Sequence, residues 1–128
     1  MNRTIIATAN GPKAPAYYSQ AVKAAGLVFV SGTPPVDPAT GAVVGTTIQE
    51  QVAQALRNIA AILEAAGTSL KNAVQATVIM VHGEDFAGLN EEWVRWFPDQ
   101  PPARHAAKMP VNLPGVRVSI AMIAAMPA

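Results

Sequence analysis

The segment TIQEQVAQALRNIAAILEAAG, residues 47 to 67, constrains the fold more than any other part of this chain. Thr47 at the N-cap and Glu50 three residues later form a capping box, which satisfies two orphan amides at a helix start. Ile48, Val52, Ala55, Leu56, Ile59 and Leu63 follow at helical spacing and make one apolar face. Gly67 stops the helix as a left-handed C-cap. A helix with a single apolar face must bury it against another layer, and the flanking segments read as strands.

RTIIAT (3 to 8), YYSQAVKA (17 to 24) and GLVFVSG (26 to 32) are rich in residues that favour a pleated surface. A tight turn near Ala25-Gly26 joins the last two. TPPVDPATG (33 to 41) holds three prolines and a glycine and reads as loop, of the kind that often lines a site. AVQATVIMV (73 to 81) is apolar on both faces, as a central strand is. Asp85 is placed to cap a second helix carrying Phe86, Leu89, Trp93 and Phe97, which ends at PDQPP. Two more strands, ARHAAKM and GVRVSIAMIAA, flank the turn NLPG. The order β-β-β-α-β-α-β-β predicts an α+β domain, a mixed sheet with two helices packed on one face, filling residues 1–128 as one domain.

The chain's totals narrow the function classes. Without cysteine it has no disulfide framework, no cysteine-based zinc site and no thiol nucleophile. Nine basic and eight acidic residues leave a net charge of +1 with no basic block, which argues against a nucleic-acid partner. No window is long and apolar enough to span a membrane, and the start MNRTIIATANGPKAP lacks a signal-peptide core. A soluble cytoplasmic protein is the expectation. Hydrophobic residues reach 51% and charged ones only 13%, so part of the surface is expected to be covered by self-association.

Arg104, in PPARHAAKM, is the first candidate for chemistry, because the segment around it reads as a buried strand. A guanidinium there is costly unless an anion meets it. Alternation puts Arg104, Ala106 and Lys108 on one face and His105, Ala107 and Met109 on the other. Small Ala106 leaves space beside the guanidinium. Two readings stand: an edge-strand arginine paired with a carboxylate of its own or a neighbouring subunit, or a fork holding a ligand carboxylate. Asn90 flanks the apolar stripe of the second helix, where its amide either bonds nearby backbone or lines a pocket. Tyr18 and Ser31, on predicted strands, can each give a small ligand one hydrogen bond. His82 and His105 have neither metal-site spacing nor acidic companions, and read as a turn residue and an ordinary strand residue. Trp93 and Trp96 read as core and interface packing.

In their order, YYSQAVKAAGLVFVSG, VDPATGAVVG, QVAQALRNIAAILEAAG, DFAGLNEEW and PPAR resemble the YjgF/RidA family of reactive-intermediate deaminases over nearly the whole chain. The resemblance implies a chorismate-mutase-like α+β subunit, a homotrimer with sites in the clefts between subunits, and no metal or organic cofactor. It also implies hydrolysis of enamine or imine intermediates of amino acid metabolism to 2-oxo acids and ammonia. Arg104 falls on the arginine that holds the substrate carboxylate, and Tyr18, Ser31 and Asn90 match the family's tyrosine, serine and helix asparagine.

The chain also departs from that pattern. The family usually reads PARSCVEV where this chain has PARHAAKM. His105 thus replaces a serine, Ala106, the neighbour expected to line the substrate space, replaces a cysteine, and Lys108 stands where glutamate is frequent. Ser119 and Ala121 occupy positions where acids are common, Ala121 that of a glutamate thought to help place the attacking water. The expected function is therefore an enamine/imine deaminase using Arg104 as carboxylate anchor, with the hydroxyl of Ser31 or a backbone carbonyl near Ala106 orienting water. The alternative is a non-catalytic sensor or carrier that binds a small carboxylate in the same cleft.

Overall fold

The computed structural model describes residues 2–128. Six strands, β1 (Arg3–Ile6), β2 (Ala21–Ala24), β3 (Leu27–Thr33), β4 (Ala73–Met80), β5 (Ala103–Lys108) and β6 (Val118–Ala125), form one sheet in the order β1-β2-β3-β6-β4-β5. Neighbours are antiparallel except β4 and β5, which run parallel because α2 (Phe86–Trp96) carries the chain between them. The predicted element order is the observed one, with two single 3-10 turns added at Leu70–Asn72 and Gly83–Asp85.

Helix α1 (Ile48–Ala66) begins and ends as its sequence dictates. The Thr47 side chain accepts from the Glu50 amide, and the Glu50 carboxylate accepts from the Thr47 amide. Backbone donors at Thr46 and Thr47 hold the Glu50 carboxyl below its ordinary range. Gly67 closes the helix at φ 94°. The Lys23 ammonium donates to the Ala66 carbonyl, supplying the positive charge that a helix C-terminus favours.

Val52, Leu56, Ile59 and Leu63 of α1 pack on Val28, Val78, Val118 and Ile120 of the sheet, and every one of these side chains is fully buried. Leu89 and Trp93 of α2 complete the core on the same side. Two buried amides interrupt this apolar face. Gln51 bonds the Gly45 and Gly115 carbonyls and the Arg117 amide, and Asn58 bonds the Pro34 and Val36 carbonyls. They tie both flanking loops to the helix and satisfy backbone groups that would otherwise be left without partners. Gly88 is where the two helices touch: a Cβ there would lie 2.5 Å from the Ile48 Cγ2.

The sheet's other face carries no helix. Ile5 and Phe29 are largely exposed on it, with Val22, Ile79 and Ile123 half-buried around them. Among the described residues no helix is long and apolar enough to cross a membrane.

Three local expectations need correction. Tyr17 and Tyr18 are not on a strand: β2 starts at Ala21, and Tyr18 sits in a turn whose amide donates to the Pro15 carbonyl. The aromatic pair is β-prone, but the chain must reverse there to enter β2, and that requirement prevails. The two rings meet edge-on at 5.7 Å. Asp85 stands at the N-cap of α2 but makes no capping bond, because its carboxylate takes Arg117 at 2.9 Å instead. Finally, β5 is not buried within the chain. It is an edge strand, paired on one side only and exposed along most of its length.

Candidate functional site

The candidate residues fall into two groups at different ends of the sheet. Arg104 belongs to the first. Its register partner is Ala76, on the helix-facing side of β4, so its side chain runs under α2. The guanidinium carbon lies 5.2 Å from the centre of the Trp93 ring and 5.6 Å from that of Phe86. One Nη donates to the Asn90 Oδ1 at 2.7 Å. Aromatic faces and an amide oxygen fix a cation in place without neutralising it. Burial lowers the Arg104 pKa from its ordinary value, which leaves a guanidinium fully charged at neutral pH.

The two ion pairs among the described residues, Arg95 with Glu92 and Arg117 with Asp85, leave Arg104 out. Of its five N–H donors only one is used among the described residues. The intrachain form of the edge-arginine reading therefore falls away. An oriented, half-buried guanidinium with donors to spare has the chemistry to receive an anion.

Ala106 follows on the same face and lines a recess of about 450 Å³ with Met80, Gly83, Phe86 and Lys108. Phe86 is thus shared: one part of the ring meets Arg104, another walls the recess. Sequence reasoning placed Phe86 and Trp93 in the apolar stripe of α2 and missed their contact with the cation. The signal was available, since Phe86, Asn90 and Trp93 lie three or four residues apart on one helix face.

Tyr18 and Ser31 form the second group. The Ser31 hydroxyl donates to the Ser19 carbonyl at 2.6 Å, and both Tyr18 and Ser31 line a recess of about 380 Å³ with Gln20, Thr33 and Asp37. The floor of this recess is built by side chains that the sequence did not single out. Gln20, buried, accepts from the Thr8 amide and donates to the Thr8 and Pro12 carbonyls, and Asn58 holds the proline loop. Buried amides of this kind set the shape of a loop rather than touch a ligand.

Between Ser31 on β3 and Arg104 on β5 stand two strands, β6 and β4. At the usual strand spacing that is a separation of about 14 Å. Within one chain Ser31 lines the recess by the proline loop, while Arg104 lies against Phe86 and Trp93 of α2, away from it. Ala121 is also apart: it pairs with Thr77 on the open face of the sheet, on the opposite side from Arg104. His105 is on that open face too, with its Nε2 3.0 Å from the Thr77 hydroxyl.

The family model described as Endoribonuclease L-PSP matches residues 8–126. A RutC family protein of Pyrococcus horikoshii is 43% identical, over 84% of this chain and 85% of its own. A 2-iminobutanoate/2-iminopropanoate deaminase of Capra hircus is 40% identical, over 95% of this chain and 89% of its own. The crystal structure of yeast Mmf1 superposes with a TM-score of 0.92 at 31% identity, covering 98% of this chain and 100% of that one.

Proposed function

Because the chain belongs to the YjgF/RidA family, whose model carries the description Endoribonuclease L-PSP, we propose that it hydrolyses 2-imino acids and their enamine tautomers to 2-oxo acids and ammonia. The observation that carries this reading is the Arg104 guanidinium, held over Phe86 and Trp93 with donors to spare and in no ion pair among the described residues. Such a group suits the carboxylate that every 2-imino acid carries, and mammalian relatives named as imine deaminases agree with it.

The chemistry asks little of the protein. In a protonated imine the carbon is already electrophilic. Water adds its oxygen to that carbon and loses a proton, a proton reaches the nitrogen, and the C–N bond breaks as the new hydroxyl gives up its remaining proton, leaving a carbonyl and ammonia. Arg104 fixes the substrate by two parallel bonds to its carboxylate, and Asn90 fixes Arg104. A hydroxyl such as that of Ser31 orients the water. Positioning alone is worth several kcal/mol when the reacting atoms are held close.

The reading places each site between two copies of the chain in a homotrimer. One copy brings Arg104, Asn90 and Ala106, the next brings Tyr18 and Ser31. Two observations support this: the two groups lie about 14 Å apart within a subunit, and the sheet presents a helix-free face with Ile5 and Phe29 exposed. An apolar sheet face of this kind needs a covering layer.

The test generates an imine in place, from an amino acid and its oxidase, and follows the release of 2-oxo acid. The expected result is release faster than the spontaneous rate and proportional to protein. Release at the spontaneous rate would overturn the deaminase reading. The second reading, carboxylate binding without turnover, is favoured by the methyl group of Ala121 where an acid is usual in the family. It predicts that 2-oxo acids raise the melting temperature while no imine is hydrolysed faster.

A further inference from the structure

We infer that Lys108 makes this site selective for 2-imino acids whose side chain bears a second carboxylate, an inference that rests on the deaminase reading above. The recess beside Arg104 points to it. Arg104, Ala106 and Lys108 follow one another on the helix-facing side of β5, in register with Ala76, Val78 and Met80. A substrate anchored by its carboxylate on Arg104 extends its side chain along that row. It passes over the methyl of Ala106 into the recess of about 450 Å³ bounded by Met80, Phe86 and Lys108.

Had the recess been apolar throughout, an alkyl side chain would be its natural occupant. Lys108, an exposed cation, is among its lining residues instead. Lys108 makes no ion pair and no side-chain hydrogen bond among the described residues. The acid on the neighbouring turn, Asp85, is taken by Arg117, and Glu84 does not line the recess. A cation with no partner at the mouth of a partly apolar pocket attracts an anion that the substrate supplies.

Geometry allows both cations to act on one molecule. Four residues along a strand separate their Cα atoms by about 13 Å. Arg104 leans under α2, and the flexible four-carbon stem of Lys108 can lean back over Ala106. The small size of Ala106 matters here, because any larger side chain would fill the path between the two charges. Met80 and Phe86 provide apolar walls for the methylenes that join the two carboxylates. Imines of dicarboxylic amino acids match this order of charge, apolar stretch and charge.

The experiment compares imines generated from aspartate or glutamate with the imine from alanine, using the parent protein, Lys108→Met and Lys108→Arg. The parent is expected to show the higher kcat/KM for the dicarboxylic imines. In Lys108→Met the ratio of dicarboxylic to alanine-derived kcat/KM is expected to fall about tenfold, as loss of one charge-assisted contact implies. The loss should appear chiefly in KM, and Lys108→Arg should restore most of the ratio. A ratio that stays constant across the three proteins would overturn the inference while leaving the deaminase reading intact. If no imine is turned over, binding decides. A preference for 2-oxoglutarate over pyruvate that disappears in Lys108→Met supports the side-chain role although deamination has failed. Equal binding of the two acids by parent and variant overturns it.

Discussion

Replacement of Arg104 by alanine is expected to lower kcat/KM for any 2-imino acid by about thirtyfold or more. Truncating one partner of a well-formed charged pair costs about 2–5 kcal/mol, and each 1.4 kcal/mol is a factor of ten. In the proposed reaction Arg104 orients the reacting carbon against water as well as binding the carboxylate, so both kcat and KM should change. Arg104→Lys should recover only part of the rate, because an ammonium offers a point charge where the guanidinium offers a fork. The fold should tolerate both changes. Arg104 is only half-buried, on an edge strand, and makes one side-chain hydrogen bond within the chain. A thermal melt close to the parent's, together with the loss in rate, separates an anchoring role from a structural one. A rate equal to the parent's would remove Arg104 from the site.

The largest effect on stability is expected from Gln51→Leu. Gln51 is almost wholly buried on the face of α1 that meets the sheet, and its amide meets three backbone groups at 2.7–3.1 Å. These groups belong to Gly45, Gly115 and Arg117, so one side chain joins the loop before α1 to the start of β6. Leucine has nearly the same volume but satisfies none of them. Each backbone group left without a partner costs about 1–3 kcal/mol where water cannot replace the amide. Gly115 is exposed enough for water to reach its carbonyl, which leaves two groups and places the total at about 2–6 kcal/mol. A denaturant titration should show that loss as a lower midpoint with an unchanged slope. A midpoint equal to the parent's would show that the amide is dispensable.

Helix α1 was legible down to its caps because its signals are local. Thr47, Glu50 and Gly67 act within a few residues of themselves, and the apolar period names the buried face. The buried amides on that same face were not legible, since what Gln51 and Asn58 bond lies in loops far along the chain. Asp85 shows the same limit. It has the right residue type and position for a cap, and a distant arginine displaces the local bond.

At the site, residue type and strand alternation correctly placed Arg104, Ala106 and Lys108 on one face. Which side of the sheet that face occupies depended on packing, as did the stacking of Phe86 and Trp93 on the guanidinium. The separation of Ser31 from Arg104 follows from strand order, in which β6, last in sequence, inserts between β3 and β4. Nothing local announces that insertion. It changes what Ala121 means, because that residue lies on the open face, on the opposite side of the sheet from Arg104 of the same chain.

The central claim is that each site is shared, with Arg104 from one copy and Tyr18 and Ser31 from the next. Mixing two inactive variants tests it most directly. Arg104→Ala removes one half of every site, and the double variant Tyr18→Phe, Ser31→Ala removes the other. The two are unfolded and refolded together, and mass spectrometry is used to verify that mixed assemblies form. With random association, one site in four draws both intact halves, so activity should return to about a quarter of the parent's. Mixed assemblies that stay as inactive as the separate variants would contradict a shared site and place all the working residues within one chain.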